Sequence, residues 1–196
     1  MAYLMKSTRS FFLPLLLAWI TSLAMAQSVA TDEFNFSQII GNLEFLERTD
    51  YPEKELGYSL RYENDKLLKA DIYVYDNGQP NMKDGIASPE VKAEMASVAS
   101  GLHTMEEMGK YEGVKELKQG EKVTKPSGLK FLWSRHSLRQ IGGSEVIYLG
   151  KRISDTFLMV RKGKFIKIRI TTKESDLAEH DKEIERFVNQ VGSCLL

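Results

Sequence analysis

From Leu56 onward the chain alternates between apolar and polar positions with the period of a strand. Tyr58, Leu60 and Tyr62 are separated by Ser59 and Arg61, a polar ENDK break follows, and Ile72 and Val74 then alternate with Tyr73 and Tyr75. Successive strand residues point to opposite faces, so this stretch predicts two strands joined by a short turn. The polar loop DNGQPNMKDGIASP separates them from a different rhythm. There Val91, Met95, Val98, Leu102 and Met105 recur every three or four residues, the stripe of an amphipathic helix. Ser88 supplies its N-cap, Pro89 its first position and Gly109 its end.

The strand period then returns. Residues 114–117 and EKVTK read as short edge strands, and LKFLWSRHSLRQI reads as a long one, with Leu129, Phe131 and Trp133 set against Lys130, Leu132 and Ser134. Gly142 and Gly143 mark a hairpin turn, SEVIYLGKRI returns, and residues 156–160 form a further strand that Lys162 and Gly163 turn into residues 165–171. A last helix starts near Ser175, with Leu177, Ile184, Phe187, Val188 and Val191 on one side and Gly192 as its stop. Near the other end, the spacing of Phe36, Ile39, Ile40, Leu43 and Leu46 predicts a helix capped near Ser37. The order is helix, two strands, helix, a run of strands, helix. That order defines an α+β class, a mainly antiparallel sheet with helices packed on its faces.

The stretch RKGKFIKIRIT, residues 161–171, places a row of cations inside a strand. With Lys162 and Gly163 at the turn, Val160 faces Phe165, Leu158 faces Lys167 and Thr156 faces Arg169. Phe157, Met159, Ile166 and Ile168 then form the core face. The other face is apolar near the turn and cationic beyond it, as expected where a helix covers only part of a sheet. Glu179 and Asp181 of the last helix, or Asp71, are the expected partners of the cations. The functional alternative is an anion patch of Lys167 and Arg169 with Arg135 and the tyrosines Tyr73 and Tyr75, suited to a carboxylate or phosphate.

Composition changes the picture chiefly at the start of the chain. Lys6 and Arg9 precede an apolar run from Phe11 to Ile20, and Ala24-Met25-Ala26 follows, the layout of a secretory signal peptide cleaved after Ala26. Residues 27–196 then make one domain in a periplasmic or secreted setting, without a membrane span once the leader is removed. The 27 cations and 27 acids balance, which excludes a global attraction to nucleic acid. Cys194 is the single cysteine, so no internal disulfide can form; it is either a small buried residue or a thiol that links two copies into a homodimer.

Catalytic chemistry is sparse. Ser134 and His136 share a strand face, but the sharp turn that exposes a nucleophilic serine is missing. An enzyme built on that pair, or on a pocket around Lys167, Arg169 and Tyr73, is the alternative reading. Glu179, His180, Asp181 and Glu183 crowd one helical turn without metal-ligand spacing, and Asp76, Asn77, Asn81 and Asp84 are turn residues. No catalytic residue, metal site or cofactor site is assigned on these grounds.

The stretches ELGYSLRYEN, ADIYVYDNG, FLMVRKGKFIKIRITTKES and IERFVNQVGSCL resemble small exported bacterial proteins and, more distantly, the PsbP-like α/β/α sandwich group. The resemblance spans residues 56–196 and implies an antiparallel sheet covered by helices on both faces. It also implies a periplasmic or lumenal accessory protein of the non-enzymatic sort; the leader, the missing catalytic motifs and the two-faced sheet add the expectation that it binds an envelope protein or a small ligand. The group offers no motif from which a site residue could be transferred.

Overall fold

The computed structural model describes residues 28–30, 33–141 and 150–196. The leader expected at residues 1–26 and the turn at Gly142 and Gly143 lie outside the described residues. Among those described, the strands are β1 (Ser28–Ala30), β2 (Asn35–Ser37), β3 (Ile39–Ile40), β4 (Leu43–Asp50), β5 (Tyr58–Glu63), β6 (Lys69–Tyr75), β7 (Tyr111–Val123), β8 (Lys130–Gln140), β9 (Gly150–Arg161) and β10 (Lys164–Lys173). Helix α1 (Pro89–Glu107) separates β6 from β7, and α2 (Leu177–Cys194) ends the chain. Strands β3 to β10 form one eight-stranded antiparallel sheet in the order β3-β4-β5-β6-β10-β9-β8-β7. Two consecutive meanders therefore meet where β6 pairs with β10.

The two helices lie on opposite faces. On β10, Ile166, Ile168 and Ile170 join Ile72, Phe157, Ile184, Phe187 and Val191 in the larger core, beneath α2. Phe165 belongs instead with Val160, Leu158, Tyr75 and Val91 in a smaller cluster beneath α1. The result is an α/β/α sandwich, and the expected pairings of Val160 with Phe165, Leu158 with Lys167 and Thr156 with Arg169 are all present. Phe187 is fully buried and meets the Tyr62 ring edge-on at 5.5 Å. Burying such a ring contributes roughly 2–3 kcal/mol.

Three local expectations are corrected. Residues 36–47 form strands, because Gly41 (φ +65°) and Asn42 are the two turn residues between paired Ile40 and Leu43. A glycine with positive φ at the first turn position is what such a hairpin requires, and a helix has no use for it. The two short edge strands are one long strand, β7, and the separate strands expected around Arg152 and Phe157 are the single strand β9. Helix α1 agrees with its sequence signals: Ser88 Oγ accepts a hydrogen bond from Val91 N at 3.4 Å, and Pro89 opens the first turn. Helix α2 runs through Gly192 to Cys194, since a glycine flanked by the buried Val191 is carried along by packing.

Gly57 (φ +60°) precedes β5 and lies against β6 so closely that a Cβ there would stand 2.0 Å from the Val74 carbonyl oxygen. Gly57→Ala is expected to lower stability by about 3 kcal/mol, through strain and displacement of β6. Denaturant unfolding with an unchanged midpoint would contradict this account.

Candidate functional site

The cationic row lies on the α1 face. Lys167 Nζ stands 5.1 Å from the ring centroid of Tyr73 and 4.8 Å from that of Tyr75, and 3.7 Å from Glu94 Oε1 of α1. The same Glu94 carboxylate accepts hydrogen bonds from Tyr75 Oη at 2.5 Å and Asn77 Nδ2 at 3.1 Å. Burial lowers the Lys167 pKa against the pull of Glu94, and burial pushes the Tyr73 hydroxyl up to about 12. Arg169 donates from Nε to Ser154 Oγ at 3.3 Å and from Nη2 to Tyr111 Oη at 3.1 Å. Tyr73, Tyr75, Lys167 and Arg169 are therefore brought together, but as a layer whose polar groups answer one another.

Two expectations about that row are corrected. Its hydrogen-bond and ion-pair partners come from α1, β7 and β9, because α2 packs on the other face; Asp71 stands opposite Arg169 and acts on it electrostatically, but forms its ion pair with Arg61 at 2.9 Å, and Glu179 pairs with Lys66. Arg135 also leaves the patch. On β8 it follows the parity of Phe131 and Trp133, which face α2, whereas Leu132 and Ser134 face α1.

Ser134 and His136 remain on the α1 face without forming a nucleophile and base. Ser134 Oγ donates to Met95 Sδ at 3.6 Å. His136 is 2% exposed; its Nε2 lies 3.9 Å from Glu116 Oε2, and its Nδ1 has no hydrogen-bond partner among the described residues. The acidic cluster of α2 disperses as helix geometry demands: Glu179 meets Lys66, His180 meets Thr172, Asp181 meets Arg135 and Glu183 meets Asn64. Cys194 is half-buried beside Ser37, and burial raises its pKa.

The more open arrangement is on the α2 face, where sequence reading placed nothing. A cleft of about 370 Å³ runs between α2 and the β7–β8 ribbon. Its floor is Trp133, Phe157, Ile184 and Val188. The Trp133 and Phe157 rings stack at 6.5 Å between centroids and 29° between planes. The indole is held by the buried carboxylate of Asp155, whose Oδ1 accepts from Trp133 Nε1 at 2.7 Å and from Arg135 Nε at 2.8 Å. Arg135 Nη2 spans Asp155 Oδ2 at 2.9 Å and Asp181 Oδ1 at 2.7 Å, which ties the sheet to α2.

Lys118, Lys122 and Lys182 line the same cleft, and no carboxylate among the described residues forms an ion pair with any of them. Lys122 Nζ rests over the Trp133 ring at 4.3 Å from its centroid. Gly120 pairs with Trp133, and a Cβ built there meets nothing within 4 Å, so the edge strand leaves open space beside the indole. The sequence signal that could have found this site is weak. It consists of a tryptophan in a strand and lysines two residues to either side of a glycine, and these meet only through strand register.

Together, the fold and the cleft define an α/β/α sandwich with a preformed, positively lined recess. Neither a protein-family model nor a curated protein matches the chain. Among solved structures it is similar to the solution structure of cyanobacterial PsbP (CyanoP) from Synechocystis sp. PCC 6803, at 9% identity and a TM-score of 0.48, over 89% of this chain and 96% of that one. This distant PsbP-like likeness is one of fold and brings no residue role to the chain. No helix among the described residues is long and apolar enough to cross a membrane.

Burial lowers the His136 pKa, with Glu116 opposing, so the folded state favours the neutral ring. The unfolded chain then binds the proton first. The stability His136 contributes is complete above its ordinary pKa of about 6.5 and is lost as pH falls below it. His136→Gln is expected to flatten the decline in unfolding midpoint between about pH 6.5 and pH 5. An identical slope in the variant would remove His136 from the explanation.

Proposed function

We propose that this is a non-enzymatic accessory protein of the periplasm or of the secreted fraction, which holds a small ligand in the cleft between α2 and the β7–β8 ribbon. One observation carries the reading: three lysines that have no carboxylate partner among the described residues surround an indole whose orientation is already fixed. Charge left unmatched beside an aromatic ring is a common make-up of a binding site, in which a few polar groups orient the ligand. The cleft lining offers no histidine, cysteine or activated hydroxyl for chemistry; Thr124 Oγ1 is engaged by Ser127 and the Leu129 carbonyl. Export rests on the leader-like arrangement of residues 1–26.

Native mass spectrometry of the protein recovered from the exported compartment without reductant tests this reading. The expected species begins at Gln27, is monomeric because the Cys194 thiol is half-buried, and carries a small-molecule adduct. Trp133→Ala should lose that adduct. A bare chain in both proteins, or an adduct indifferent to Trp133, would overturn the assignment of the cleft.

A further inference from the structure

We infer that the ligand of this cleft is a small aromatic monocarboxylate, with its ring against Trp133 and its carboxylate among Lys118, Lys122 and Lys182; the inference rests on the binding function proposed above. The sign of the charge comes first. Arg135 pairs with both Asp155 and Asp181, a network that keeps one negative charge, so the three lysines face that charge and Glu185. The surplus is positive, so the recess attracts an anion. A cationic ring ligand would have to displace Lys122 from the indole and then stand among like charges.

Shape narrows the class. The accessible apolar surface is the flat indole, backed by the buried Phe157, Ile184 and Val188, and an aromatic ring covers such a face well. Because Trp133 Nε1 is already bonded to Asp155, the ring need not be ordered on binding, and that lowers the entropic cost of association. The volume of about 370 Å³ lies at the small end for ligand sites and suits one or two fused rings. Lys122 now occupies the face of the indole. An arriving ring takes that place, and the displaced ammonium gains a carboxylate in exchange for the weaker ring contact.

The donor set argues for one negative charge. Lysines act as point charges on flexible stems, and the only guanidinium here is already held by two carboxylates, so no planar fork is free for a phosphate. Asp181 and Glu185 further disfavour a dianion.

The probe experiment uses residues 27–196. Of the two tryptophans in the sequence, Trp19 lies in the leader, so Trp133 alone reports by fluorescence, and calorimetry gives an independent affinity. 2-Naphthoate is expected to bind at least tenfold more tightly than its neutral amide, and more tightly than inorganic phosphate or benzyltrimethylammonium. Added salt should weaken it. Lys118→Glu should cost at least tenfold in affinity with an unchanged circular dichroism spectrum, and Gly120→Leu should abolish binding by filling the space beside the indole. Equal affinity for acid and amide, or preference for the quaternary ammonium, would overturn the ligand class, while a Trp133-dependent native adduct would still support the cleft as a binding site. Absence of both the adduct and probe binding would overturn the two readings together.

Discussion

Asp155 is a carboxylate with no solvent exposure, in the middle of a strand whose neighbours on the same face are Ile153 and Phe157. An ionised group there is tolerable only if its lone pairs are filled, because burying an unpaired charge costs several kcal/mol. Three donors fill them: the Trp133 indole and two nitrogens of Arg135. Arg135 passes the connection on to Asp181 in the second turn of α2. Apolar residues of equal volume could hold the layers as firmly, since a buried ion pair and a hydrophobic replacement come out nearly even. What the network adds is direction. It fixes the plane of one aromatic ring and the position of one helix relative to the sheet, and the cleft is the space those two constraints leave.

The same sheet meets its two helices differently. Beneath α2 the face is largely apolar, closed over by Phe187, Val188, Val191 and Ile184, with the Arg135–Asp155 pair and the Thr172–His180 contact set into it. Beneath α1 only the end near the β9–β10 turn is apolar, and the remainder is a polar layer of Lys167, Arg169, Tyr73, Ser154 and His136. Strand β7, at the sheet edge, is exposed along most of its 13 residues and carries two bulges and alternating lysines and glutamates. Such features discourage pairing with another strand. They also decide which lysines turn toward α2, so the protection of the edge and the lining of the cleft have one structural origin.

That origin explains what could be read in advance. The β9–β10 hairpin, the cap of α1 and the apolar side of α2 are local patterns, and each was visible within a dozen residues. Residues 36–47 misled because apolar positions spaced by three and four also fit two strands folded at Gly41 and Asn42. Arg135 misled for a longer-range reason. Alternation within β8 separates its residues into two sets, but which set faces which helix depends on its register against β9. In β7 even the alternation fails, since the shifts between Glu112 and Lys115 and between Glu116 and Lys118 each invert the parity of the residues beyond them. No count from the β7 sequence alone places Lys118 and Lys122 beside Trp133.

The two groups of cations differ in environment and not in residue type. Lys167 lies under a helix that supplies Glu94, with its ammonium near the rings of Tyr73 and Tyr75. Its position is a solution to burial, and a ligand there would have to compete with Glu94 for the same ammonium. Lys118 and Lys182 have no such answer, but lysines without partners are ordinary on a surface and lose little by remaining hydrated. What distinguishes them is the neighbour they share: an aromatic floor immobilised by a buried acid and left uncovered at Gly120. The cations on β10 could be singled out from sequence because they interrupt an apolar strand. Those of the cleft matter because of the space the folded chain leaves open beside them.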